Sequence, residues 1–263
     1  MPLLARRSPV HLLLAIVILA GILPGGIVHA QAVLPVPSGH FGSSPRSWSV
    51  FTEYSPNSSH IFLGDTNQRE FITLGASFTQ RLFRNRIWAL DYRAEIRPLM
   101  VESDPAINQL TFHVTGQDDE VDNLPRKYPV LNPINPLLMY QIYVPYSATP
   151  LTVVETGRYT RRWTYVGGLS PAGLQARFLP HSRIQPVLTL MTGFTVSPRD
   201  IPTFDSSAFN FTFSFGAGID FFRTSTRAVR LEYRLHHLSN AGTGATNPGI
   251  DSQMIHLGYS WGR

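Results

Sequence analysis

The most regular feature of the chain is a two-residue alternation of apolar and polar side chains. It is clearest from Ala208 to Phe222, where Phe209, Phe211, Phe213, Phe215, Ala217, Ile219 and Phe221 alternate with Asn210, Thr212, Ser214, Gly216, Gly218 and Asp220. Successive side chains of a strand point to opposite faces, so this period predicts a strand with one aromatic face and one small, polar face. Other segments repeat it. Trp88, Leu90, Tyr92, Ala94 and Ile96 alternate with Ala89, Asp91, Arg93, Glu95 and Arg97; Val229, Leu231, Tyr233 and Leu235 alternate with Arg230, Glu232 and Arg234. A row of alternating acids and arginines cannot face hydrocarbon, where an unpaired Arg or Lys costs about 2–4 kcal/mol near the midplane. It must line an interior where opposite charges pair, which leaves the apolar row for lipid.

Eight such segments are predicted, at about 46–54, 69–82, 86–99, 163–179, 183–196, 208–222, 227–240 and 251–261. The connections after the second, fourth and sixth are short and the others longer. An even strand number with turns short at one end and long at the other describes a bacterial outer-membrane barrel with both termini in the periplasm. The expected fold is therefore all-β: an eight-stranded antiparallel transmembrane β-barrel over residues 33–263. Residues 101–162 form a long external segment, rich in Pro and acids at its centre, that reads either as a hairpin extending the wall or as a cap.

Composition sharpens this picture. Of 263 residues, 43% are hydrophobic and only 15% charged, yet no stretch after the N-terminus is apolar enough for a spanning helix. At the N-terminus, Arg6 and Arg7 precede an apolar run from Leu12 to Leu23 and small residues near Ala30 and Ala32. That order is a secretory signal peptide, expected to be cleaved, over residues 1–30. The formal charge of +5 is scattered and almost wholly arginine, Lys127 being the single lysine, so nucleic acid is not an expected partner. There is no cysteine, which excludes disulfides and a lipid-modified cysteine.

The candidate chemistry lies on the last two strands. His237 and Ser239 are two apart and share the outward, odd-numbered face; Asp251 begins the next strand on its outward face. Adjacent strands lie about 4.8 Å apart, so the three side chains can meet at the external rim. A nucleophilic serine needs a base within hydrogen-bond reach and an acid orienting that base. Ser239, His237 and Asp251 have those chemistries. Backbone N–H groups at Asn240, Ala241 and Gly242 follow the nucleophile and are candidate oxyanion donors. His236 and His256 point inward on adjacent strands. No further ligand accompanies them, so lumen hydrogen bonding is expected rather than a metal site.

The run His237-x-Ser239-Asn240-Ala241-Gly242, followed by Asn247-x-Gly249-Ile250 and an acid at 251, resembles the outer-membrane lipid A 3-O-deacylases, also called acyloxyacyl hydrolases. The resemblance implies catalysis by His237 and Ser239 with Asp251 as acid, where the family has Glu. It implies an oxyanion role for Asn247, with Asn240 and Gly242 supporting. It implies hydrolysis of an ester-linked 3-O acyl chain of lipid A in lipopolysaccharide, in the outer membrane, with no metal or organic cofactor. Two other readings fit the same barrel: a small non-catalytic outer-membrane barrel whose polar rim is an interface belt, and a lipid acyltransferase. Homodimerisation stays open.

Overall fold

The computed structural model describes residues 41–145, 147 and 149–262; the expected signal peptide lies outside them. The strands are β1 (Arg46–Ser55), β2 (Glu70–Arg84), β3 (Trp88–Val114), β4 (Glu120–Pro129), β5 (Leu138–Ile142), β6 (Leu151–Phe178), β7 (Ile184–Ile201), β8 (Ser207–Phe222), β9 (Arg227–Ser239) and β10 (Ile250–Gly262). β1, β2, β3, β6, β7, β8, β9 and β10 pair in that order, all antiparallel, and β10 returns to β1. The ring of eight is closed, so every strand has both neighbours and no edge faces lipid.

The predicted faces are observed. On β8 the outward Phe209, Phe211, Phe213, Phe215, Ile219 and Phe221 are all exposed, as are Leu231 and Tyr233 on β9 and Ile255, Leu257, Tyr259 and Trp261 on β10. Trp48, Val50, Leu188, Leu190, Trp163 and Tyr165 continue the belt around the wall. An apolar surface encircling the ring of strands would be insoluble in water and is what hydrocarbon requires.

The inward faces carry the charges. Arg234 reaches Glu53 at 2.7 Å, Glu95 at 2.9 Å and Glu232 at 3.0 Å. Arg97 reaches Glu95 at 2.6 Å and Glu53 at 3.1 Å, and Arg230 reaches Asp220 at 2.7 Å. These groups fill the lumen as one buried ion network. His256 joins it through Nδ1 to Glu53 at 3.1 Å and stacks on Phe51. Lumen hydrogen bonding therefore holds for His256. It does not hold for His236, whose two ring nitrogens are buried without a partner among the described residues. Toward the long-loop end the lumen turns apolar, where Phe71, Met100, Val166, Ile201, Leu238, Ile250 and Met254 pack together.

The ring has the expected eight strands, and two more, β4 and β5, are added because β3 and β6 do not stop at the barrel rim. They stay paired from Trp88↔Phe178 to Val114↔Val153, so the segment 101–162 is built on a continuation of two wall strands. β4 pairs with the free side of β3 and β5 with the free side of β6, which makes a four-stranded extension. Periodicity stops reporting this part because its strands have no lipid side, and apolar and polar residues no longer sort by face.

Candidate active site

The ends of β9 and β10 are locked in phase by their inward residues. Leu238 and Ile250 are directly paired and both fully buried in the apolar layer of the lumen. Each buried aliphatic side chain contributes about 1.5–3 kcal/mol, and a one-residue slip would expose both. Their neighbours His237, Ser239 and Asp251 must then point outward. His237 and Asp251 are cross-strand partners, and His237 Nδ1 lies 2.6 Å from Asp251 Oδ1. Because the carboxylate is an acceptor, the imidazole donates from Nδ1, which leaves the Nε2 lone pair free. Ser239 is half-buried beyond His237, and its hydroxyl makes no hydrogen bond among the described residues. On the other side, Phe211 pairs with Ser239 and Phe213 with His237, so two exposed rings border the polar groups.

Asp251 is 1% exposed although it points out of the barrel. The cover is the connection between β1 and β2, which runs beside the start of β10. Ser58 bridges to Ser252, Ser59 N–H donates to the Asp251 carbonyl at 3.1 Å, and Thr66 Oγ1 donates to the Gly249 carbonyl at 2.8 Å. Within that connection, the backbone N–H groups of Ile61, Phe62, Leu63 and Gly64 all donate to Asp251 Oδ2, at 3.2, 2.5, 3.0 and 3.0 Å. Four donors on one oxygen, with the imidazole on the other, hold the carboxylate in a single orientation. A Cβ at position 64 would stand 2.5 Å from the Asp251 nitrogen, so only glycine lets the loop approach this closely. Sequence reading missed this loop. Its contribution comes from main chain, and the one visible signal is Gly64.

The turn after Ser239 is tightly bonded. Asn240 N–H donates to Asn247 Oδ1 at 3.0 Å, Gly242 N–H donates to Asn240 Oδ1 at 2.8 Å, and Asn240 Nδ2 donates to the Thr246 carbonyl at 2.7 Å. This alters the expected donor set. The N–H groups of Asn240 and Gly242 are already used to shape the turn. Ala241 N–H, and Asn247 Nδ2 with its partner oxygen fixed by Asn240, are the donors without a partner among the described residues. Ala241 has φ 53°, a left-handed conformation that costs a non-glycine residue about 1–2 kcal/mol. Strain of this kind persists where surrounding bonds over-determine it. Gly249, at φ 61°, passes against His237, and a Cβ there would come 3.2 Å from the ring Cε1. No cluster of metal-ligating side chains occurs among the described residues.

Residues 138–260, a little under half of the chain, match the model of the family described as Lipid A 3-O-deacylase (PagL). The resemblance read from the run between His237 and Asp251 is borne out over that range. Among solved structures, the outer membrane enzyme PagL is 13% identical with a TM-score of 0.48, covering 80% of this chain and 97% of its own. Neisserial surface protein A is 12% identical with a TM-score of 0.41, covering 84% and 98%. The outer membrane protein OprG from Pseudomonas aeruginosa is 13% identical with a TM-score of 0.37, covering 86% and 99%. No curated protein matches the sequence. The closed ring with its encircling apolar belt is a membrane-spanning barrel, the architecture of bacterial outer-membrane proteins.

Proposed function

We propose that this barrel is a serine esterase that removes an ester-linked 3-O acyl chain from lipid A at the lipid-facing wall. The observation that carries the reading is the 2.6 Å hydrogen bond between His237 and Asp251, beside a half-buried serine and aromatic lipid-facing rings. A histidine hydrogen-bonded to a carboxylate at the outer wall has no barrel-building role. The charges that do build the barrel all point inward.

In this reading His237 Nε2 takes the proton of Ser239 Oγ as the oxygen attacks the ester carbonyl. The developing oxyanion is met by Ala241 N–H and Asn247 Nδ2, and Asp251 stabilises the imidazolium that forms. Collapse breaks the acyl–oxygen bond; the sugar oxygen leaves with the proton from His237 Nε2. Water, deprotonated by the same nitrogen, then attacks the acyl-serine ester, frees the fatty acid and regenerates Ser239. The acyl chain lies along Phe211 and Phe213, and Phe62 and Leu63, both exposed on the loop that holds Asp251, extend that apolar wall.

Purified protein in detergent micelles with lipid A tests this. Ser239→Ala and His237→Ala are each expected to lower release of the 3-hydroxy fatty acid by at least about 10⁴-fold. Heat-modifiable gel mobility should stay unchanged. Undiminished release from folded variants would overturn the assignment.

A further inference from the structure

A second recess lies at the same end of the barrel, on the other side of the loop that follows Ser239. It is an open cleft of about 790 Å³ lined by Asp65, Asn132, Ile134, Phe204, Asp205 and Asn247, among others. Four separate connections meet there, and main-chain bonds tie them together. Asp65 N–H donates to the Pro248 carbonyl at 2.6 Å, Thr246 N–H to the Asp205 carbonyl at 2.9 Å, and Asn67 N–H to the Leu131 carbonyl at 3.3 Å. Asn132 Nδ2 donates to the Asp65 carbonyl at 3.2 Å. Arg69, fully buried, donates to the carbonyls of Val130 and Leu131 and so pins the β4–β5 connection over the β1–β2 loop. The walls are therefore preformed rather than gathered by a ligand, which lowers the ordering cost of binding.

The chemistry of the lining is selective. Two carboxylates and the amides of Asn132 and Asn247 offer hydrogen-bond donors and acceptors, while Leu131, Ile134 and Phe204 offer apolar surface. No lysine or arginine lines the cleft. Asp65 and Asp205 set like charge against an anion, and although Arg126 and Arg162 stand over the Phe204 ring at 4.8 and 5.4 Å from its centroid, an uncharged ligand is favoured over a phosphate. A chair-shaped ring with equatorial hydroxyls around its rim and axial C–H groups on its faces satisfies both kinds of wall.

Asn247 and Pro248 line the cleft, yet Asn247 also bonds to the residue next to Ser239, and Gly249 packs against His237. One loop thus has the outer-wall groups on one side and the cleft on the other. We propose that the cleft is a saccharide subsite. It takes a pyranose ring of the substrate's carbohydrate head while an acyl chain of the same molecule lies across His237 and Ser239. The inference rests on the esterase reading for its source of sugar, and on the cleft alone for its chemistry. The part contributed by residues 129–134 belongs to the β4–β5 connection, so the wall extension acts as a specificity element.

The test has a binding arm and a kinetic arm. In the binding arm, Ser239→Ala protein in micelles is titrated by NMR with a glucosamine disaccharide lacking acyl chains, and separately with inorganic phosphate. The disaccharide should bind in the millimolar range and phosphate should not compete. Phe204→Ala and Asp205→Ala should each weaken binding by about tenfold or more. In the kinetic arm the same two substitutions, in the otherwise native chain, should raise KM for lipid A by a similar factor. They should leave kcat, and hydrolysis of a p-nitrophenyl fatty ester that has no sugar, within about twofold. No saccharide binding, binding indifferent to both substitutions, or competition by phosphate would overturn the cleft assignment. Saccharide binding with an unchanged KM for lipid A would overturn its link to the substrate. Saccharide binding by a protein that hydrolyses neither ester would leave the cleft standing and remove the esterase reading instead.

Discussion

The Asp251 carboxylate accepts five hydrogen bonds, four of them from main chain, and this bears on its identity. The resemblance implies Glu at this position, whereas here the N–H groups of the β1–β2 loop close directly around the shorter Asp251 carboxylate. Asp251→Glu is therefore expected to lower kcat. The extra methylene drives the carboxylate either into the loop or past the imidazole, at a cost of roughly 1–3 kcal/mol, or about 5–150-fold in rate. A gain in rate would show that the loop is incidental. Gly64→Ala forces the loop away from Asp251 and should reduce kcat while leaving the fold intact, with steady-state kinetics and gel mobility as the paired measurements. At this scale the sequence was legible in part. The spacing of His237, Ser239 and Asp251 can be read because strand parity translates number into direction. The four N–H donors cannot, because any residue supplies one and only the folded path of the loop aims them.

β9 shows how one strand serves two solvents. Its even residues Arg230, Glu232 and Arg234 join the buried ion network, and its odd residues Leu231 and Tyr233 face lipid. Arg234 touches three carboxylates at once, so its removal leaves Glu53, Glu95 and Glu232 without their common partner. Arg234→Ala is expected to destabilise the barrel by about 3–5 kcal/mol, the cost of an uncompensated buried charge. The temperature at which the heat-modifiable gel shift occurs should fall accordingly. An unchanged transition would mean that the network does not stabilise the fold. This element was the most legible of all, since a charged row beside an apolar row has no other resolution in a membrane. β4 and β5 were not legible because they add to strands standing clear of the barrel. There, Leu138 and Met139 can be exposed as readily as Glu120, and face no longer follows hydropathy.

The described residues form a closed ring of eight strands carrying a four-stranded extension on β3 and β6. The ring pairs completely below that extension, and Thr115 N–H already donates to the Thr152 carbonyl at 3.1 Å where the hairpin could be closed. Replacing residues 116–150 by a short turn is expected to leave a folded barrel. It would remove the Val130 and Leu131 carbonyls that Arg69 bonds, so activity on lipid A should fall more than activity on a sugarless ester. A chain that no longer folds would show that the extension is part of the barrel's stability instead. Strand number, closure and the two faces followed from periodicity because they are properties of a long repeated pattern. Which loops meet above the barrel did not, because the loops carry no repeating pattern and their partners are distant in sequence.

The central claim is that Ser239, served by His237 and Asp251, cleaves an acyl ester of lipid A from the outer wall. Mass spectrometry of lipid A from cells expressing the native chain, its Ser239→Ala variant or neither addresses it most directly. The expected result is loss of the mass of one 3-hydroxy acyl chain with the native chain alone, with both proteins present in the outer membrane. Lipid A of unchanged mass, a mass increased by an acyl chain, or the same loss with Ser239→Ala would contradict it.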